Sequence, residues 1–154
     1  MKSSLTNLIL TLLCAIVCTS CERSGYYDSD QKNRLSMLTS VKWTQRWTDR
    51  YDPENPIDYY QTWSFDTKGK ASFTQIGTDH DGKVILRETQ YYDWTFTTEN
   101  FAVIYLFSGT YGESFWLIEK LTAEKLRVKA ANQDPVLYPS VPQTTLTFDA
   151  EARQ

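Results

Sequence analysis

The chain has 154 residues, with 16 Lys and Arg against 19 Asp and Glu, for a formal charge of −3. That balance offers no basic field to recruit a nucleic acid, and the length suits about one domain with its own core. A single histidine and no recognisable nucleophile–base set argue against an enzyme, and no cofactor or metal site is evident.

In chain order, residues 1–20 come first and read as a signal peptide. They carry one charge, Lys2, and a run from Leu8 to Val17 that is apolar except for Thr11, followed by small Thr19 and Ser20. The run is too short for a membrane span, which takes about 20 apolar residues. Cys18-Thr19-Ser20-Cys21 resembles a bacterial lipobox. The resemblance implies that Cys21 becomes the lipidated first residue after cleavage. Cys14 and Cys18 fit less well, because bulky Leu13 and Val17 precede them. All three cysteines lie within residues 1–21, so the exported part can form no internal disulfide. The alternatives are an ordinary signal peptide cut near Ser20 and an uncleaved anchor. The expected location is the bacterial cell envelope, with the lipid on Cys21 in a periplasmic or surface-facing leaflet of the outer membrane. Residues 21–30 then form the lipidated cysteine and a polar tether, whose nine residues after the cysteine reach about 30 Å at most.

All 22 aromatic residues follow Cys21, and their abundance with Thr and Val favours sheet over helix. Asp28 or Ser29 is placed to cap a short helix running through Leu38, with Leu35 and Leu38 on one face as a plug for a β-body. From Val41 the period becomes two. Val41, Trp43 and Trp47 share one face, and Tyr59, Trp63 and Phe65 continue the pattern beyond a charged loop at 49–57 holding Pro53 and Pro56. Asp66 to Gly69 is a tight turn before Ala71, Phe73 and Gln75, and Asp79 to Gly82 is the next. Lys83 to Thr97 reads as one bent strand or two. Val84 and Leu86 are read on one face and Tyr92, Trp94 and Phe96 on the other, which calls for a bulge near Glu88–Tyr91. Phe101 to Phe107, apolar on both parities, is expected in the middle of the sheet. Strands over 115–121 and 125–131, a long loop at 132–143 with three prolines, and a strand through Leu146 and Phe148 complete the series. Residues 150–154 are expected to fray. About eight strands joined mostly by tight turns, without a crossover helix, predict an all-β antiparallel up-and-down meander closing into a barrel.

The short helix ending at Leu38, Trp43 on the first strand, Trp63-Ser64-Phe65-Asp66 with Gly69, and Leu117 to Thr122 leading into Leu126 carry a resemblance. By these the chain resembles the lipocalin-like domains of small bacterial lipoproteins, over about residues 31–149. The resemblance implies a lipocalin-like barrel domain spanning 31–150. It implies the fold more than an activity.

Among candidate sites, His80 sits in a turn between two aspartates, the ordinary place for such residues. Asp79-x-Asp81-Gly82 lacks the remaining ligands of a calcium loop. Asp49, Asp52, Glu54 and Asp58 gather around two prolines, either for a cation or as a hydrated loop. The sharper pattern is Gln45, Gln61 and Gln75, all on the inward parity of the first three strands among Trp43, Trp47, Tyr59, Trp63 and Phe73. Amides at inward positions among aromatics suggest a polar-lined pocket for a small, partly apolar ligand or a glycan. The alternative places the glutamines at barrel rims or bonded to one another, in a solid barrel that serves as a protein-interaction module of an envelope complex.

Overall fold

The computed structural model describes residues 27–153. Helix α1 (Ser29–Ser40) is followed by β1 (Val41–Asp49), β2 (Ile57–Phe65), β3 (Lys70–Thr78), β4 (Val84–Phe96), β5 (Val103–Ser108), β6 (Gly112–Leu121), β7 (Lys125–Ala131) and β8 (Thr144–Ala152). Each strand pairs antiparallel with its neighbour in sequence, and β8 returns to pair with β1, so the meander closes into a barrel. This is the eight-stranded lipocalin-like architecture, with its one short helix, that the pattern predicts.

α1 begins in a capping box. The Asp28 carboxylate accepts from the Gln31 backbone N–H at 2.8 Å, and the Gln31 side chain accepts from the Asp28 N–H at 2.9 Å. At the other end Leu38 is fully buried. Its carbonyl, one of the helix's terminal acceptors without a partner in the helix, accepts the indole N–H of Trp43 at 2.9 Å. That bond ties the end of the plug to the barrel, and at its start the Gln31 side-chain amide donates to the Glu99 carbonyl between β4 and β5.

The helix end of the barrel is dry. Trp43, Phe65, Ile104, Leu106, Leu126, Val128 and Phe148 are all within 2% of complete burial. The Trp94 indole donates to the carbonyls of Asp66 and Lys70, both at 3.1 Å. Its backbone N–H donates to the Gly69 carbonyl at 2.8 Å. Gly69 has φ +81°, and a Cβ there would lie 3.1 Å from the Trp94 carbonyl, so both conformation and space select glycine. Phe101 also has positive φ, 54°, which is uncommon for a bulky residue. In that geometry its ring is buried and stacks on Phe96 at 4.2 Å, with Tyr27 edge-on at 5.1 Å.

Three local expectations need correction. The bulge expected at Glu88–Tyr91 is absent: the ladder between β3 and β4 is unbroken from Leu86 to Asp93, and its one irregularity lies at Gly77/Thr78. The even-numbered residues of β4 from Leu86 to Phe96 therefore share one face, and the irregularity beyond Leu86 turns Val84 to the other. Residues 150–152 do not fray, because Ala150, Glu151 and Ala152 pair with β1 and the Ala150 N–H donates to the Glu124 carbonyl at 2.8 Å. Phe101 lies outside the fifth strand, which begins at Val103.

The ring is complete only near the helix. β1 pairs with β8 over Val41–Thr44, and β4 pairs with β5 over Asp93–Phe96. Beyond those seams β1–β4 continue as one paired sheet, and among the described residues neither β1 pairs with β8 nor β4 with β5. The far end of the barrel is consequently open.

Candidate functional site

Cross-strand register sorts the inner wall of the tall β1–β4 sheet into three rows. The lowest holds Trp43, Trp63, Phe73 and Gln90. The middle holds Gln45, Gln61, Gln75 and Glu88. The highest holds Trp47, Tyr59, Gly77 and Leu86. Strict alternation fixes these rows, because residues two apart in a strand share a face.

Trp63 and Phe73 of the lowest row form an aromatic floor with Tyr92 and Trp116. The Trp63 ring lies 4.9 Å from Phe73, 5.3 Å from Tyr92 and 4.8 Å from Trp116. The Trp116 indole donates to Ser114 Oγ at 3.1 Å, and its ring stacks on Phe148 at 5.6 Å. Trp43 has 0% exposure and belongs wholly to the core beneath this floor. It therefore offers no surface to a ligand while α1 is docked.

The middle row is a band of amides. Gln61 Nε2 donates to Gln75 Oε1 at 2.7 Å. Beside it Tyr92 Oη donates to Gln90 Oε1 at 2.5 Å, and Gln90 Nε2 donates to Glu88 Oε1 at 2.7 Å. All these side chains, Gln45 included, are half-buried although they face the barrel axis. Water therefore enters the open end as far as this row. Below the rim, Glu88 is the one charged side chain on the inner wall among the described residues, and it joins none of the ion pairs found there. Tyr92 feels this setting: burial, then the neighbouring Tyr111 and Glu88, raise its phenol above the ordinary tyrosine value.

The highest row is an aromatic rim. Trp47, 38% exposed, stacks on Tyr59 at 5.1 Å with 20° between the planes. The Tyr59 ring lies against Gly77, where a Cβ would come within 3.2 Å of it. Trp47 and Tyr59 also line a cleft of about 400 Å³ with Arg46, Tyr60 and Ile76. A second cleft of about 400 Å³ lies at the open end of β6–β8, lined by Ser114, Ala130, Thr144, Leu146 and Pro142.

Of the eight candidate ligand residues, the structure gathers Gln45, Trp47, Tyr59, Gln61, Trp63, Phe73 and Gln75 on one wall and leaves Trp43 below it. It adds Glu88, Gln90 and Tyr92, which the parity misreading of β4 had hidden. Counting back by twos from Trp94 reaches all three. Two of the acidic loop residues serve as local caps, Asp49 accepting from the Tyr51 N–H and Asp52 from the Glu54 N–H and the Asn55 side chain, while Asp58 accepts from the Thr48 hydroxyl at 2.6 Å. Asn55, then Glu54, hold the Asp52 carboxyl below the usual carboxylate range. His80 lies in the exposed β3–β4 turn, 3.4 Å from Asp81. Among the described residues no three His, Cys, Asp or Glu gather to hold a metal ion, and no helix is long and apolar enough to cross a membrane. Cys21, the signal peptide and the first part of the tether lie outside the described residues.

The fold and wall define a class: a closed meander barrel, plugged and dry at one end, with a wet amide band at the other. No protein-family model matches the chain, and no curated protein matches its sequence.

Proposed function

We propose that the chain is an envelope lipoprotein, anchored through a lipid on Cys21, whose barrel takes a small, partly apolar ligand or a glycan at its open end without catalysing a reaction. The observation that carries the binding reading is the half-exposed row Gln45, Gln61, Gln75 and Glu88 above the floor of Trp63, Phe73 and Trp116. Amides at this depth favour a partner with hydroxyl or carbonyl groups, since polar groups withdrawn from water without hydrogen bonds cost roughly 1–3 kcal/mol each. The aromatic floor and the Trp47–Tyr59 rim suit an apolar edge or a sugar face. Gln45 bonds no protein group through its side chain among the described residues, which leaves its amide for a ligand.

Native mass spectrometry of protein released gently from bacterial envelopes tests this reading. A co-purifying small molecule, lost in the Gln61→Leu/Gln75→Leu double variant, is the expected result. Protein that carries no adduct, and whose tryptophan emission no envelope glycan or lipid extract alters, overturns the ligand reading. The anchor is tested separately by Cys21→Ala, which is expected to leave the membrane fraction.

A further inference from the structure

Among the described residues the β4/β5 seam leaves part of β4 without a paired strand on one side. The Trp94 N–H donates to the Gly69 carbonyl, and the β3–β4 register carries that pairing back along the ladder. In an antiparallel ladder hydrogen-bonded pairs alternate with non-bonded ones. Gln90, Glu88 and Leu86 therefore aim their N–H and C=O groups at β3. Tyr91, Thr89 and Arg87 aim theirs the other way. On that side β5 pairs only as far as Asp93↔Phe107, and β5 ends one residue later, at Ser108. Among the described residues no strand pairs with residues 87–91 on that side, and their backbone makes no bond outside the β3 ladder. At the opposite seam β8 pairs with β1 over only Val41–Thr44, but it extends to Thr144, level in register with the end of β1.

We propose that the free edge of β4 is a docking site for an extended segment of another polypeptide, added as a further strand beside Arg87, Thr89 and Tyr91. Strand addition to an exposed edge supplies main-chain hydrogen bonds, and alternating side-chain contacts supply selectivity. The inner side of the added strand meets the Glu88 carboxylate, which asks for a Lys or Arg there. The outer side meets Tyr91, 72% exposed, and the neighbouring exposed Phe107, which ask for an apolar residue.

A second copy of this chain fits less well. Two-fold pairing centred on Thr89 drives the copy's Ile85 into the space of the Asp93–Phe107 pair. Centred on Glu88, it sets two carboxylates face to face, and centred on Arg87 two guanidinium groups. Like charges directly opposite destabilise a strand pair. A lone segment can leave the sheet where it meets the end of β5 at Ser108, whereas a copy brings the whole β3–β4 hairpin.

The test uses a seven-residue peptide of alternating valine and lysine, read by fluorescence anisotropy and by amide exchange in NMR. Binding is expected to slow exchange of the Arg87, Thr89 and Tyr91 N–H groups at least tenfold, with Leu86, Glu88 and Gln90 already protected. The same peptide methylated on the backbone nitrogens of one edge is expected to bind at least tenfold more weakly, a control independent of any change to the protein. Thr89→Pro removes an edge donor together with the hydroxyl contact of Thr89 to Thr74, and Glu88→Lys reverses the inner charge. Each is expected to weaken binding at least tenfold, in protein whose near-ultraviolet spectrum is unchanged. Absence of binding at millimolar peptide, equal binding of the methylated peptide, or unchanged exchange of the three amides overturns the proposal. A dimer seen by ultracentrifugation and abolished by Thr89→Pro overturns it in favour of a second copy.

Discussion

The two ends of this barrel are built from the same alternation yet solve opposite problems. At the helix end the fully buried inward positions are apolar, and the indole N–H groups of Trp43 and Trp94 find backbone carbonyls at 2.9 and 3.1 Å. At the open end the inward positions of the middle row are three glutamines and a glutamate, satisfied partly by one another and partly by water. A barrel can thus keep one continuous wall and change from core to cleft within a single row. The difference teaches that rigidity and access are separate tasks here: the plug, the floor and the closed ring supply the first, and the parted strands supply the second.

The comparison breaks most severely at Trp43. Trp43→Ala empties a fully buried site and leaves the Leu38 carbonyl without its donor, so a loss of about 3–5 kcal/mol is expected in urea unfolding. α1 should then exchange its amides independently of the barrel. The amide row should respond more gently. Gln61→Leu leaves the half-buried Gln75 amide without its partner and should cost about 0.5–1.5 kcal/mol. The double replacement Gln61→Leu/Gln75→Leu is expected to recover most of that loss in the same measurement, because no orphan remains. If the single change costs as much as Trp43→Ala, the open end is no wetter than the core.

The smallest effect concerns pH. The Tyr92 phenol is raised in the folded state, so its contribution is fully present below the ordinary tyrosine value of about 10 and is lost as the solution passes above it. Tyr92→Phe should therefore flatten the alkaline limb of the stability profile. A variant with the same alkaline limb as the parent would place Tyr92 in bulk solvent.

Much of this is legible in the sequence. Alternation around Trp43, Trp63 and Phe73 placed three strands and their inner face, and Gln61 and Gln75 proved to be cross-strand partners. The sequence told less about β4, because its inner face mixes Leu86, Glu88 and Gln90 with aromatics and a charge reads as solvent-facing. Ala150 and Ala152 carried too little apolar bulk to announce a paired strand, yet their backbone closes the ring. The seams were invisible for a deeper reason. Where β5 stops relative to β4 is set by the register of closure around the whole barrel, and no local pattern encodes it.

Closure also orders events in time. The Thr44 hydroxyl donates to the Asp149 carbonyl at 3.3 Å across a separation of 105 residues in the chain, and β1 and β8 meet over only four register pairs. The entropy of bringing such distant residues together must be met before the pairing repays it. The hairpins from β1 to β7 can form locally and early, while the ring cannot shut until the final strand has arrived. Folding on the millisecond-to-second scale of barrels dominated by long-range pairs is the consequence. A chain shortened by its last few residues would be left as an open, curled sheet.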